Sequence, residues 1–144
     1  MKRHEAIAPL SRDHHGSLIL AQLLKKNAPA YPGLPDTTAD KAKYAQELFK
    51  NSIKKHFKQE EAMLDLAKDS DNEINTLAVE IKTEHRQLTA LFKSLDTVTD
   101  LKSTMDTLAI ALEKHIRKEE RILFPLLQLR CTDEQLQGIY KLLH

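Results

Sequence analysis

Glycine is scarce in this chain, three residues in 144. Beside 41% apolar and 30% charged residues, that shortage suits long amphipathic helices rather than sheets. A single cysteine, Cys131, excludes a disulfide framework and a thiolate metal site within one chain, and reads as a solitary thiol just past the last long helix. No apolar run approaches the roughly 18 residues that span a bilayer, and Met1-Lys2-Arg3-His4-Glu5 lacks the hydrophobic region of a signal peptide, so the expected location is cytoplasmic. A formal net charge of +1 without a basic run gives no electrostatic reason to expect nucleic acid or an anionic membrane as partner. The length fits one domain over residues 1–144.

Proline and glycine punctuate the chain sparsely. Pro9 suits the first turn of a helix running to about residue 28. Three of the five prolines then fall in Pro29-Ala-Tyr-Pro-Gly-Leu-Pro-Asp-Thr-Thr, the one obvious loop. A second helix is expected over about residues 39–68, a third over 73–95 and a fourth to about 129, with Asp69-Ser-Asp-Asn and Asp96-Thr-Val-Thr-Asp as the turns between them. Pro125 should kink the end of the fourth. A short C-terminal helix over about 133–143 would start at a Thr132 or Asp133 cap. The fold class is therefore all-α: an up-down-up-down four-helix bundle over about residues 9–129 with that short helix appended.

The fourth helix presents a heptad seam with two polar members. Leu101, Met105, Leu108, Leu112, His115, Glu119, Ile122, Leu126 and Leu129 follow alternating four- and three-residue steps, and only His115 and Glu119 are not apolar. The second helix repeats the anomaly in Ala45, Phe49, Ile53, His56, Glu60, Met63 and Ala67. On the third, His85 interrupts Ile74, Ala78, Ile81, Leu88, Phe92 and Leu95, and on the first His14 follows Leu10 ahead of Ser17, Ala21 and Leu24. Burying carboxylates and imidazoles together costs several kcal/mol unless something satisfies both, which a metal ion does. Histidines satisfied by hydrogen bonds alone are the other reading.

The six residues also match in height. In an antiparallel bundle two sites are level when equally distant from the turn joining their helices, and at roughly 1.5 Å per residue the mismatches here come to about one turn or less. His15 is the alternative donor on the first helix, or a group just outside the ligand set, or an ordinary polar residue. The offsets that give His14 apolar neighbours give His15 only Ser11, Gln22 and Lys25. Glu61 and Glu120 stand one step off their seams and read as solvated, and Glu84 reads either as surface charge, the default, or as a group orienting a neighbouring imidazole.

The segments His115-Ile-Arg-Lys-Glu-Glu-Arg-Ile-Leu-Phe-Pro, His56-Phe-Lys-Gln-Glu-Glu, Glu84-His85-Arg-Gln-Leu and Leu10-Ser-Arg-Asp-His-His together resemble the hemerythrin-like HHE cation-binding family. The resemblance implies a four-helix bundle holding two non-haem iron ions, oxo- or hydroxo-bridged. Its ligands would be His14, His56, Glu60, His85, His115 and Glu119, with both glutamates bridging. Oxygen-carrying hemerythrins add a histidine four residues after the helix-three ligand, where this chain has Thr89, and end with a His and an Asp five apart rather than four. Eight protein contacts plus a bridging oxide leave about one open position on each six-coordinate ion.

Three functions follow from the resemblance and from the residues. The first is a di-iron protein that binds or reacts with oxygen, peroxide or nitric oxide as sensor, scavenger or stress-response protein. A second is an enzyme, such as a nitric oxide reductase or an iron donor for iron-sulfur cluster repair. The third is a helical interaction module stabilised by a metal such as zinc. The sequence names no redox partner.

Overall fold

The computed structural model describes residues 2–144, all of whose regular structure is helical. Helix α1 spans Ala8–Leu24, with Pro9 in its first turn. Helix α2 runs from Thr38–Leu48 through a π-helical turn at Phe49–Ile53 into Lys54–Leu66. Helix α3 is Asn72–Ser94, and α4 runs from Leu101–Lys118 through a second π turn, Glu119–Leu123, into Phe124–Arg130. The short α5, Asp133–Leu143, packs against the later half of α2.

Four of the five helix starts are set by a local side-chain hydrogen bond. Thr37, Asp71 and Asp100 cap α2, α3 and α4 by accepting from the backbone N–H of Asp40, Glu73 and Ser103. Thr132 and Gln135 form a reciprocal capping box at α5. The first helix ends four residues earlier than expected, because Lys25 is already extended and the Lys26 N–H donates to Asp106 of α4. In the loop that follows, Gly33 adopts φ 78° and the Leu34 N–H reaches the Tyr31 carbonyl, a turn whose third position favours glycine.

The core falls into two apolar clusters. One is built around Leu20, Leu24, Phe49, Phe92, Leu108 and Leu112, the other around Leu10, Met63, Ile81, Leu123, Phe124 and Leu127. Each fully buried Leu, Ile or Phe contributes roughly 1.5–3 kcal/mol through area removed from water. The residues between the clusters along every helix are the polar ones of the seams.

The end of α4 departs from the heptad expectation. Ile122 and Leu129 are exposed, and Leu123 and Leu127 are buried in their place. The cause is the π turn, in which the Phe124 N–H reaches back five residues to the Glu119 carbonyl and so inserts one extra residue into the rotation. Pro125 follows in the first turn of the resumed α-helix. Its ring would clash with a carbonyl four residues back in a regular helix, and the widened turn takes up that conflict.

Candidate metal centre

The His56–Glu60 turn is regular α-helix, and Glu119, the first residue of the second π turn, still donates its N–H to the His115 carbonyl four residues back, so each pair projects from one face of its own helix. The four long helices bring His14, His56, Glu60, His85, His115 and Glu119 into one layer between the apolar clusters, none more than 7% exposed. Donor atoms of His14, His56, Glu60 and Glu119 lie within 4.8 Å of one another, as do those of Glu60, His85, His115 and Glu119. Glu60 and Glu119 belong to both groups. The Glu60 carboxylate puts Oε2 3.0 Å from His56 Nε2 and Oε1 2.9 Å from His85 Nε2, while Glu119 puts Oε1 2.9 Å from His14 Nε2 and Oε2 3.4 Å from His115 Nε2. Each carboxylate thus spans the gap between the groups with one oxygen on either side. His15 is exposed and faces the cleft between α1 and α2.

A ring of four further carboxylates fixes the imidazoles from behind. His14 Nδ1 lies 2.6 Å from Glu120 Oε2, His56 Nδ1 3.0 Å from Asp13 Oδ2, His85 Nδ1 2.7 Å from Glu61 Oε2, and His115 Nδ1 2.7 Å from Glu84 Oε1. Every bond crosses to the neighbouring helix: α1 to α2, α2 to α3, α3 to α4, and α4 back to α1. A carboxylate at Nδ1 holds the proton there, which leaves each Nε2 lone pair aimed into the layer. The expectation that Glu61 and Glu120 are solvated is therefore corrected, and of the two readings of Glu84 the geometry favours the group that orients an imidazole over surface charge. They stand beside a seam residue in sequence, and their length lets them cross to the next helix. Glu120 also accepts from Ser11 and Arg3, and Glu84 from Lys118. Aromatic faces complete the walls: Phe124 stacks on His14 at 5.6 Å and Phe57 on His85 at 4.0 Å.

Electrostatics shows what the layer is built to receive. Burial alone would lower the His14 pKa, but hydrogen bonds to Glu119 and Glu120, with the Glu60 carboxylate close by, reverse this and hold it at about 11. His56 is likewise raised to about 9 against its burial, chiefly by the charge of Glu60 and its bond to Asp13. Glu119, buried beside the charge of Glu60, is pushed up to about 7. Positive charge is thus demanded at the imidazoles, and protons supply it when nothing else does. His56 Nε2, His115 Nε2, Glu60 Oε2 and Glu119 Oε2 are buried without a hydrogen-bond partner. Such atoms are costly unless coordinated, and these four are among the donors of the two groups. Nitrogen and carboxylate donors in two overlapping sets fit a pair of divalent or trivalent cations.

The model of the hemerythrin HHE cation-binding domain matches residues 5–140. Among curated proteins and among solved structures nothing matches the chain. Among the described residues, no helix is long and apolar enough to cross a membrane.

Proposed function

Because the chain belongs to the family of hemerythrin HHE cation-binding domains, we propose that it holds a non-haem di-iron centre that binds or reacts with oxygen, peroxide or nitric oxide, as a sensor, scavenger or stress-response protein. The observation that carries this reading is the sharing of Glu60 and Glu119 between two buried donor groups, the arrangement a binuclear pair requires. His14 and His56 would hold one ion and His85 and His115 the other, with Glu60 and Glu119 available to both. Two irons held there supply one-electron redox chemistry and open positions for a small ligand. The chain's own part is to fix four Nε2 donors, to exclude water with two apolar clusters, and to balance charge with the outer carboxylates.

Thr89 supports the open positions. It lines a cleft of about 410 Å³ beside His85 and Ala90, so the place where oxygen carriers hold a further histidine offers space rather than an imidazole. The test is anaerobic reconstitution with ferrous iron, exposure to air, and measurement of metal content with an ultraviolet-visible spectrum. About two irons per chain with new near-ultraviolet oxo-bridge bands is the expected result. One zinc, or no metal and an unchanged spectrum, would move the assignment to a metal-stabilised interaction module.

A further inference from the structure

Over the polar layer, the outer face of α2 carries charge of one sign. Between Leu48 and Gln59 it has four lysines and no acid. Lys50, Lys54 and Lys58 repeat at four-residue steps, Lys55 sits beside them, and all four are exposed. Arg12 and His15 of α1 continue the patch across one cleft, of about 530 Å³, and Arg86 and Lys93 of α3 continue it across the cleft beside Thr89. Among the described residues, none of these lysines and arginines forms an ion pair, although Arg3, Lys25, Lys82, Lys118, Arg117 and Arg130 all do. On a chain of net charge +1, a concentration of unpaired cations at one place is a local field rather than a general property.

On this face the polar layer also borders both clefts. His56 lines the first cleft and His85 the second. The carboxylates behind them, Asp13 and Glu61, have side chains 51% and 40% exposed and take no cation, while Glu84 and Glu120, on the other two helices, are 24% and 27% exposed and ion-paired. Resting on the di-iron reading above, we infer that the α2 face is the docking surface of an acidic one-electron carrier protein, which delivers electrons to the centre by way of His56 and His85. Each encounter oxidises the carrier by one electron and reduces one ferric ion to ferrous, so two encounters reduce a diferric pair. A bilayer is a poorer fit, since no large exposed apolar side chain lies between Leu48 and Gln59 to enter it. Single-stranded nucleic acid would need exposed aromatic platforms, and Phe49 and Phe57 on this stretch are buried.

The probe is an acidic [2Fe–2S] ferredoxin, with binding to the full chain read by calorimetry and electron transfer by stopped flow. Binding should weaken by about tenfold or more as salt rises from low to physiological strength. The variant K50E/K54E/K55E/K58E should lose about tenfold or more in both affinity and reduction rate, and the glutamine counterpart should lose less in the same direction. The control K68E/K102E/K114E/K141E carries the same change in net charge and should stay close to wild type. Circular dichroism and iron content establish that each variant is folded and loaded. Wild type that loads two irons yet binds ferredoxin no better than the quadruple variant, or without salt dependence, overturns the inference. So does preferential binding of anionic vesicles or duplex DNA through the same lysines. If no iron is taken up, the di-iron reading itself fails, and ferredoxin binding without iron would overturn the electron-delivery inference, since no acceptor for the carrier's electron would be present.

Discussion

Asp13, Glu61, Glu84 and Glu120 each touch one imidazole and none of the buried oxygens, so their influence is on aim and charge. Glu84 shows the strength of the coupling. Burial works to raise its pKa, but His115 and Lys118 hold the carboxyl at about 2. Replacing any one of the four by alanine should weaken metal binding by roughly 10–100-fold while leaving the stoichiometry intact, whereas Glu60→Ala or Glu119→Ala removes a bridge and should abolish the pair. Chelator competition measures the first effect and elemental analysis the second. Equal losses at all six positions would remove the distinction between bridging and orienting carboxylates.

At the scale of the element, the π turns decide the register. Arg121 is exposed within the second one, so Arg121→Ala should change stability by less than about 0.5 kcal/mol. Deleting Arg121 instead should force a regular helix and swing Leu123, Phe124 and Leu127 out of their cluster, at a cost of at least about 3 kcal/mol in urea unfolding. A deletion no worse than the alanine variant would mean that the π turn is incidental. The same turns mark where the sequence ceased to be legible. Seam spacing located the four long helices and the six polar residues of the layer, because one face of each helix must be apolar and these side chains break it. The heptad rule then ran straight through Glu119 and chose Ile122 and Leu129, since an extra residue in one turn leaves composition untouched. On α2 the trace of the extra residue is visible, as two consecutive four-residue steps from Ala45 through Phe49 to Ile53. The outer carboxylates had a signal as well: Asp13 adjoins His14, Glu61 adjoins Glu60, Glu84 adjoins His85 and Glu120 adjoins Glu119. Taken one at a time each looks like surface charge, and only the placement of the helices shows that each crosses to its neighbour.

For the whole molecule, the balance of charge in the layer sets how stability varies with pH. Without metal, His14 and His56 have folded-state pKa values of about 11 and about 9, above the ordinary 6.5. Groups raised in this way stabilise the fold fully below about pH 6.5, and the contribution is lost as pH rises through 9 and then 11. Glu119, raised from 4.5 to about 7, acts in the same direction at lower pH. The melting temperature of the metal-free protein should therefore fall between about pH 7 and 10, while the loaded protein, whose positive charge is not a proton, should change much less. Thermal unfolding across that range, with and without metal, is the measurement, and a flat metal-free profile would contradict the assignment.

The two apolar clusters meet across the polar layer rather than merging into one core. A bundle made in this way has two oily ends and an ionic waist. Dispersion forces hold each end together, but the stiffness of the middle depends on the charge and coordination of whatever sits there. On the di-iron reading proposed above, a change of one electron at the waist would change how firmly the ends are joined, which would couple the chemistry of the centre to the mechanics of the protein without any separate moving part.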